Sequence, residues 1–167
     1  MTAVIGKDTN MVDSDGNTPL HIAVSEHSGP ESLETLLASG FPVNNRNRTG
    51  STALLQAVRG GQESLAKVLL TAGADPYASD NQGESAVTIA LAAYPALVPM
   101  IAEYAPEKTD TIGDGLLHYA ARSGDAETVR RLLALPKIDR GARNISGETA
   151  YDIAVRWQRP EIAALLK

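Results

Sequence analysis

Glycine recurs at nearly even intervals along this 167-residue chain. The recurring residues, each inside a similar block of small and aliphatic side chains, are Gly16, Gly50, Gly83, Gly113 and Gly147. Successive members are 34, 33, 30 and 34 residues apart. A period of this size is typical of a stacked-repeat protein, in which one unit cannot bury its apolar face alone and neighbouring units complete the core. We therefore expect function to belong to a surface of the stack.

The composition agrees with thin helical layers and excludes several kinds of site. Only 4% of the residues are aromatic, and thin layers of helices fill instead with Ala, Leu and Val. The chain has no cysteine, which excludes disulfides, thiolate metal sites and cysteine nucleophiles. Its net charge of -5 favours solubility. Residues 1–10 lack the apolar core of a signal peptide, so we expect an intracellular, cytoplasmic protein.

Each block resolves into two short helices. Thr18-Pro19 has the pattern of an N-cap followed by proline at the first helical position. In the second helix, Leu33, Leu36 and Leu37 recur at three- and four-residue spacing, which predicts one buried stripe. Gly40 is expected to end that helix in the left-handed conformation. The polar segment that follows should form an extended finger.

The segment 85–102 contains no charged residue, which raises the question of a membrane span. Pro95 and Pro99 argue against one, because both would interrupt a continuous helix. They fall where the repeat pattern predicts a turn and then the first turn of a second helix, where proline is tolerated. We therefore expect no membrane span.

The segment Asp13-Ser14-Asp15-Gly16-Asn17-Thr18-Pro19-Leu20-His21-Ile22-Ala23 resembles the signature of the ankyrin repeat, and Gly73-Ala74-Asp75-Pro76 resembles the finger motif of that family. Weaker copies of the signature begin at the other four glycines. The resemblance implies an all-α ankyrin-repeat solenoid, a stack of helix-turn-helix units with β-hairpin-like fingers. The five repeats are expected at about 13–45, 46–78, 79–108, 109–142 and 143–167. The third departs most from the family pattern, because it is the shortest and lacks the Gly-Ala-Asp finger.

The two ends of the chain differ in pattern. Residues 1–12 have the spacing of a finger that belongs to a preceding repeat whose helices are missing. The last repeat presents Arg156, Arg159, Glu161 and Lys167, which would give the polar outer face that a terminal repeat needs. We therefore expect an array that was cut at its N-terminus and ends naturally at its C-terminus.

The residues with catalytic potential favour structural roles. His21 and His118 occupy equivalent positions three repeats apart, which at roughly 10 Å per helix layer separates them by about 30 Å and excludes a shared metal ion. The resemblance implies instead that each imidazole bridges backbone groups of neighbouring loops. The aspartates concentrate in turns, where they cap backbone N–H groups. No nucleophile and base, carboxylate pair or phosphate loop stands out, so we expect no enzyme activity, metal or cofactor.

The resemblance also implies a concave binding groove, lined by the finger tips and the exposed side of the first helix of each pair. In each repeat it comprises six positions. Three precede the repeat glycine by four, two and one residues, one follows it directly, and two lie at the end of the first helix. These 30 positions hold six of the ten arginines and none of the five lysines, whereas an even distribution would place about two arginines there. The candidate partner-binding residues are Arg46, Arg48, Arg59, Ile112, Arg122, Arg143, Arg156 and Trp157. The sequence leaves open whether Trp157 contacts the partner or packs on the end of the stack.

Arginine favours a protein partner, because its planar fork binds carboxylates bidentately and stacks on aromatic rings. Five acidic residues on the same surface bring its net charge to +1, which disfavours nucleic acid. Ala92 and Ala93 predict a smooth centre, so the expected partner is an acidic-flanked segment with an apolar middle, bound by a monomer. Changing Arg59 and Arg122 to Glu should then abolish binding. The alternatives are a regulatory or inhibitory module of a larger enzyme or effector, and a structural spacer.

Overall fold

The computed structural model describes residues 9–167, and in this part of the chain ten α-helices follow one another in five pairs. In chain order they are α1 (Pro19–Ser25), α2 (Pro30–Ala38), α3 (Ala53–Arg59), α4 (Glu63–Thr71), α5 (Ala86–Ala93), α6 (Val98–Tyr104), α7 (Leu116–Ser123), α8 (Ala126–Leu133), α9 (Ala150–Arg156) and α10 (Pro160–Leu165). We call the first helix of each pair the inner helix and the second the outer helix. Each of the five expected repeats contains one pair.

The pairs stack in two layers. Every inner helix contacts the inner helix of the next pair, and every outer helix contacts the next outer helix. One continuous apolar core runs through all five pairs. Leu54, Leu69, Ile101 and Leu132 are fully buried in it, and each such side chain stabilises the fold by about 1.5–3 kcal/mol. This architecture confirms the all-α solenoid expected from the sequence.

Local signals set the ends of the helices as the sequence predicts. Thr52 caps α3, since its hydroxyl accepts a hydrogen bond from the Leu55 N–H at 3.2 Å. Gly40 follows α2 with φ +89°, the left-handed conformation that ends a helix. Leu33 is fully buried, whereas Leu36 and Leu37 are only half-buried at the margin of the core.

The third pair contains both prolines that the sequence singled out. A short 3₁₀ helix, Pro95–Leu97, separates α5 from α6, and Pro99 lies in the first turn of α6. The predicted break after α5 is confirmed. Among residues 9–167, none of the helices combines the length and hydropathy needed to cross a bilayer.

One loop precedes each helix pair, and we call these loops fingers one to five: residues 12–17, 46–51, 79–84, 109–114 and 143–148. The repeat glycine of every finger has a positive φ, between +74° and +81°, which explains why glycine recurs. The described residues contain one isolated bridge, between Arg46 and Thr52, and no strand. The expected β-hairpin-like fingers are therefore tight turns, because each finger is too short for a ladder. Residues 1–8 of the remnant finger expected at residues 1–12 lie outside the described residues.

Candidate partner-binding surface

One polar side chain organises each finger. In the first finger, the Asp13 carboxylate accepts hydrogen bonds from the N–H groups of Asp15 and Asn17, both at 2.8 Å. Four other side chains accept the corresponding bonds in the later fingers: Asn47, Asp80, Asp110 and Asn144. The structural role predicted for aspartates in turns is thus observed at these positions.

His21 joins the first repeat to the second. Its Nδ1 accepts a hydrogen bond from the Thr18 N–H at 3.2 Å, and its Nε2 lies 2.9 Å from the carbonyl oxygen of Ser51. The first contact makes Nδ1 the acceptor, so Nε2–H donates to the carbonyl. Burial lowers the pKa of His21, which keeps the ring neutral.

His118 repeats this arrangement between the fourth and fifth repeats. Its Nδ1 accepts from the Gly115 N–H at 3.2 Å, and its Nε2 lies 3.1 Å from the carbonyl oxygen of Glu148. Burial also lowers the pKa of this imidazole. The bridging role implied for both histidines is confirmed. Among the described residues, no group of three or more His, Asp or Glu side chains could hold a metal ion.

Three of the candidate arginines, which we call the helix arginines, lie at the ends of inner helices and are ion-paired with carboxylates of the fingers. Arg59 lies 2.6 Å from Asp80 and also pairs with Glu84. Arg122 pairs with Asp114, whose side chain is fully buried. The third helix arginine, Arg156, pairs with Glu148.

The pairing changes the acid-base behaviour of this part of the surface. The hydrogen bond to Asp80 raises the pKa of Arg59 above its ordinary value. Burial alone would raise the pKa of Asp80, but the guanidinium of Arg59 and the backbone N–H groups of its own finger hold that pKa below the ordinary value. The charges of the helix arginines are therefore compensated within the chain.

The other three candidate arginines, which we call the finger arginines, are Arg46, Arg48 and Arg143. All three are exposed, and none forms an ion pair with a carboxylate among the described residues. Arg46 donates to the carbonyl oxygens of Gly50, at 2.9 Å, and Ser79. Arg143 donates to the carbonyl oxygen of Gly147 at 2.5 Å. These bonds hold the guanidinium groups without neutralising them.

Three exposed apolar side chains lie at surface positions of the last two repeats. Ile112 is 44% exposed, Ile145 76% and Trp157 51%. The two isoleucines are neighbours, since the Ile145 N–H donates to the Ile112 carbonyl oxygen at 2.9 Å. The guanidinium carbon of Arg122 lies 6.0 Å from the centre of the Trp157 ring system, so the indole lies beside the preceding repeat. Sequence reasoning missed Ile145, although its position two residues before a repeat glycine placed it on the surface.

The family model for ankyrin repeats in three copies matches residues 1–80 and 86–167. The chain belongs to the ankyrin-repeat family. Ankyrin repeats generally mediate protein–protein interaction and act as non-catalytic modules. The resemblance stated from the signature residues is thereby confirmed.

Curated relatives include an ankyrin repeat protein of Acanthamoeba polyphaga mimivirus, 33% identical over 90 residues that cover 52% of this chain and 56% of that protein. The mitochondrial disaggregase of Bos taurus is 32% identical over 147 residues, which cover 82% of this chain and 20% of the disaggregase. The human B-cell lymphoma 3 protein is 34% identical over 157 residues, which cover 92% of this chain and 29% of that protein. The ankyrin array thus spans about half or less of each relative.

A similar fold occurs in a solved structure of a predatory endopeptidase from Bdellovibrio bacteriovorus in complex with an immunity protein. One chain of that structure is 27% identical to this one, with a TM-score of 0.63. The match covers 95% of this chain and 84% of that chain.

Proposed function

We propose that this ankyrin array binds a partner protein along its fingers and the adjoining ends of its inner helices. The observation that carries the proposal is the exposed row formed by the finger arginines together with Ile112, Ile145 and Trp157. Arginine and tryptophan are over-represented among residues that dominate binding energy. The array contributes no chemistry of its own to this role.

The ion pairs change which arginines are expected to contact the partner. Since the helix arginines are already paired with carboxylates, the finger arginines are the ones that offer an uncompensated charge to a carboxylate of the partner. Ile145 and Trp157 offer apolar area in the last repeat, which also contains Arg143. The expected partner segment therefore carries a carboxylate opposite the fingers and an apolar anchor opposite the last repeat.

Affinity capture with the wild-type chain, followed by titration of the captured protein, tests this proposal. The variants Arg143→Glu and Ile145→Ala/Trp157→Ala should each weaken binding by about ten-fold or more. The matched control is Arg140→Glu, because Arg140 is also exposed and also donates to a backbone carbonyl oxygen, that of Leu133, at 3.0 Å. It lies outside the surface and should bind like the wild type. Equal binding by all four proteins would contradict the proposal.

A second candidate function is a regulatory or inhibitory module of a larger enzyme or effector. Two comparisons favour it: the chain matches 20% of a disaggregase, and it matches a chain in a complex of an endopeptidase with an immunity protein. The reading frame around this chain distinguishes the two candidates when it is sequenced. A catalytic domain in the same frame, inhibited by the added array, would favour the regulatory role.

A further inference from the structure

Neighbouring fingers are joined by one main-chain hydrogen bond at three of the four junctions. The N–H groups of Arg48, Asn81 and Ile145 each donate to a carbonyl oxygen of the preceding finger at 2.9 Å. The corresponding donor at the remaining junction is Thr111. Within residues 9–167, no main-chain hydrogen bond joins the third finger to the fourth.

The space around the repeat glycines shows the same interruption. A Cβ atom added to Gly16 would lie 3.1 Å from Arg48 N in the next finger, and one added to Gly113 would lie 3.1 Å from Asn144 Cα. One added to Gly50 would lie 2.5 Å from the Asn81 side chain. By contrast, a Cβ atom at Gly83 would have no neighbour within 4 Å. The third and fourth fingers are therefore separated.

The sequence gives a cause for this separation. Gly83 and Gly113 are 30 residues apart, whereas the other repeat glycines are 33 or 34 apart. The third repeat lacks the Gly-Ala-Asp-Pro segment that follows α4 in the second repeat. The shorter connection carries the fourth finger along a different path.

A cleft of about 580 Å³ opens at the separated fingers, within the usual size range of ligand sites. Residues from three successive repeats line it, among them Arg46, Asp75, Tyr77, Ser79, Asp110 and Tyr119. Arg46, Ser79 and Asp110 belong to the fingers, so the cleft lies within the proposed binding surface.

The two carboxylates of the cleft have no cationic partner in the described part of the chain. Asp110 accepts from two backbone N–H groups at 2.9 Å and from the Tyr119 hydroxyl at 2.7 Å. Asp75 accepts from the Tyr77 N–H at 3.0 Å through one of its oxygens. Arg46 also lines the cleft, but its guanidinium donates to the carbonyl oxygens of Gly50 and Ser79 and to neither carboxylate.

Two tyrosine rings complete the cleft. The centroids of Tyr77 and Tyr119 are 5.9 Å apart, and the rings are inclined by 47°. The Tyr77 side chain is buried. The Arg122 guanidinium carbon already lies 5.3 Å from the centroid of the Tyr119 ring. Aromatic rings beside carboxylates without a cationic partner favour a further cation that also carries apolar methylene groups.

We propose that the cleft between the third and fourth fingers takes an arginine or lysine side chain of the partner, with the cation at Asp75 and Asp110 and the stem against Tyr77 and Tyr119. The inference rests on the proposed function, since the cleft is part of the surface that the partner covers. It adds a basic residue to a partner segment that the sequence alone predicted to be acidic-flanked.

The probe for this site is Nα-acetyl-arginine amide, titrated into the ¹⁵N-labelled chain and followed by NMR. The amide signals of Tyr77, Ser79 and Thr111 should shift in a saturable manner. The citrulline analogue has the same shape without the charge and should bind about five-fold more weakly or worse. Nα-acetyl-glutamate amide tests whether Arg46 dominates instead.

The variant Asp75→Asn/Asp110→Asn removes both charges and keeps the turns. Asn already occupies the position of Asp110 in two other fingers, as Asn47 and Asn144, and an Asn oxygen can accept the same N–H bonds. The matched control is Asp13→Asn/Asp139→Asn, because those aspartates make the same kind of turn contact outside the cleft. The cleft variant should lose about five- to ten-fold in arginine binding, and the control should lose none.

Three results would overturn this inference: equal shifts with citrulline, stronger binding of the glutamate compound, or unchanged arginine binding by the cleft variant. None of them would affect the proposed function, because that is measured with the captured partner and the Arg143→Glu and Arg140→Glu variants. The opposite result is also informative. If the cleft binds arginine but no captured protein depends on Arg143, Ile145 and Trp157, the cleft is supported and the proposed function is not.

Discussion

The helix arginines and the finger arginines differ in what holds them, although the sequence places all six on one surface. Arg59, Arg122 and Arg156 each face a carboxylate, and in two pairs that carboxylate is almost completely inaccessible to solvent. Arg46 and Arg143 bond to carbonyl oxygens and keep their net charge available. The comparison teaches that a count of charged residues on a surface does not measure the charge that the surface offers to a partner.

The difference also separates two kinds of experiment. A change at Arg59 or Arg122 removes the partner of a buried carboxylate and so acts on stability. A change at a finger arginine acts on binding. The Arg59→Glu/Arg122→Glu variant expected from the sequence to abolish binding would combine both effects, because it would place new carboxylates beside Asp80 and Asp114.

The largest effect is expected when a helix arginine is removed. Arg122→Ala should lower the free energy of unfolding by about 2–3 kcal/mol, because the fully buried Asp114 carboxylate would keep Asn144 as a hydrogen-bond donor but lose its cation. Arg59→Ala should behave similarly through Asp80. Urea denaturation at neutral pH measures both. If the free energy of unfolding fell by less than about 0.5 kcal/mol, the ion pairs would not distinguish the helix arginines from the finger arginines.

A smaller effect is expected from pH, which changes the histidines but leaves every arginine charged. The folded-state pKa values of His21 and His118 lie below the ordinary 6.5, so the unfolded chain binds protons below that pH that the folded chain does not. Stability should therefore be complete above pH 6.5 and decline as the pH falls below it, by at most about 1.4 kcal/mol per pH unit for each histidine.

Urea denaturation over a pH series checks this decline. His21→Gln should reduce the slope, whereas His27→Asn should leave it unchanged, because the His27 side chain is exposed. Asn also tolerates the positive φ of +54° at that position. A slope unchanged by His21→Gln would contradict the assignment of a buried neutral imidazole.

The smallest effect on stability is expected at the finger arginines. Arg48→Ala and Arg143→Ala should each change the free energy of unfolding by less than about 0.5 kcal/mol, since both side chains are exposed and unpaired with carboxylates. The same denaturation measurement compares them with Arg122→Ala. A loss as large as that of Arg122→Ala would remove the distinction between the two groups.

Much of the fold followed from local signals in the sequence. The glycines had to recur because every finger needs a positive φ at one position, and Pro95 and Pro99 marked a break that their missing N–H groups made necessary. The histidine bridges followed from the family signature. Each of these features depends on residues close in sequence or on a repeated motif.

The state of the candidate site depended on side-chain ion pairs that the repeat pattern did not specify. Arg122 and Arg156 each lie eight residues after the acidic residue that neutralises them. The net charge predicted for the surface included both residues of each pair, but the sequence did not show that they are ion-paired. Arg59 has Ser51 at that distance and reaches instead to Asp80 and Glu84 of the next finger. The cleft depended on the path of the short third repeat, which the sequence marked only as the least regular region.

The histidine bridges fall at the two outermost junctions of this chain. His21 joins the first repeat to the second and His118 the fourth to the fifth, while the equivalent positions of the second and third repeats hold Leu55 and Thr88. Burial holds the pKa of both histidines below the ordinary value. Mild acid should therefore weaken these two junctions before the two that lack a histidine.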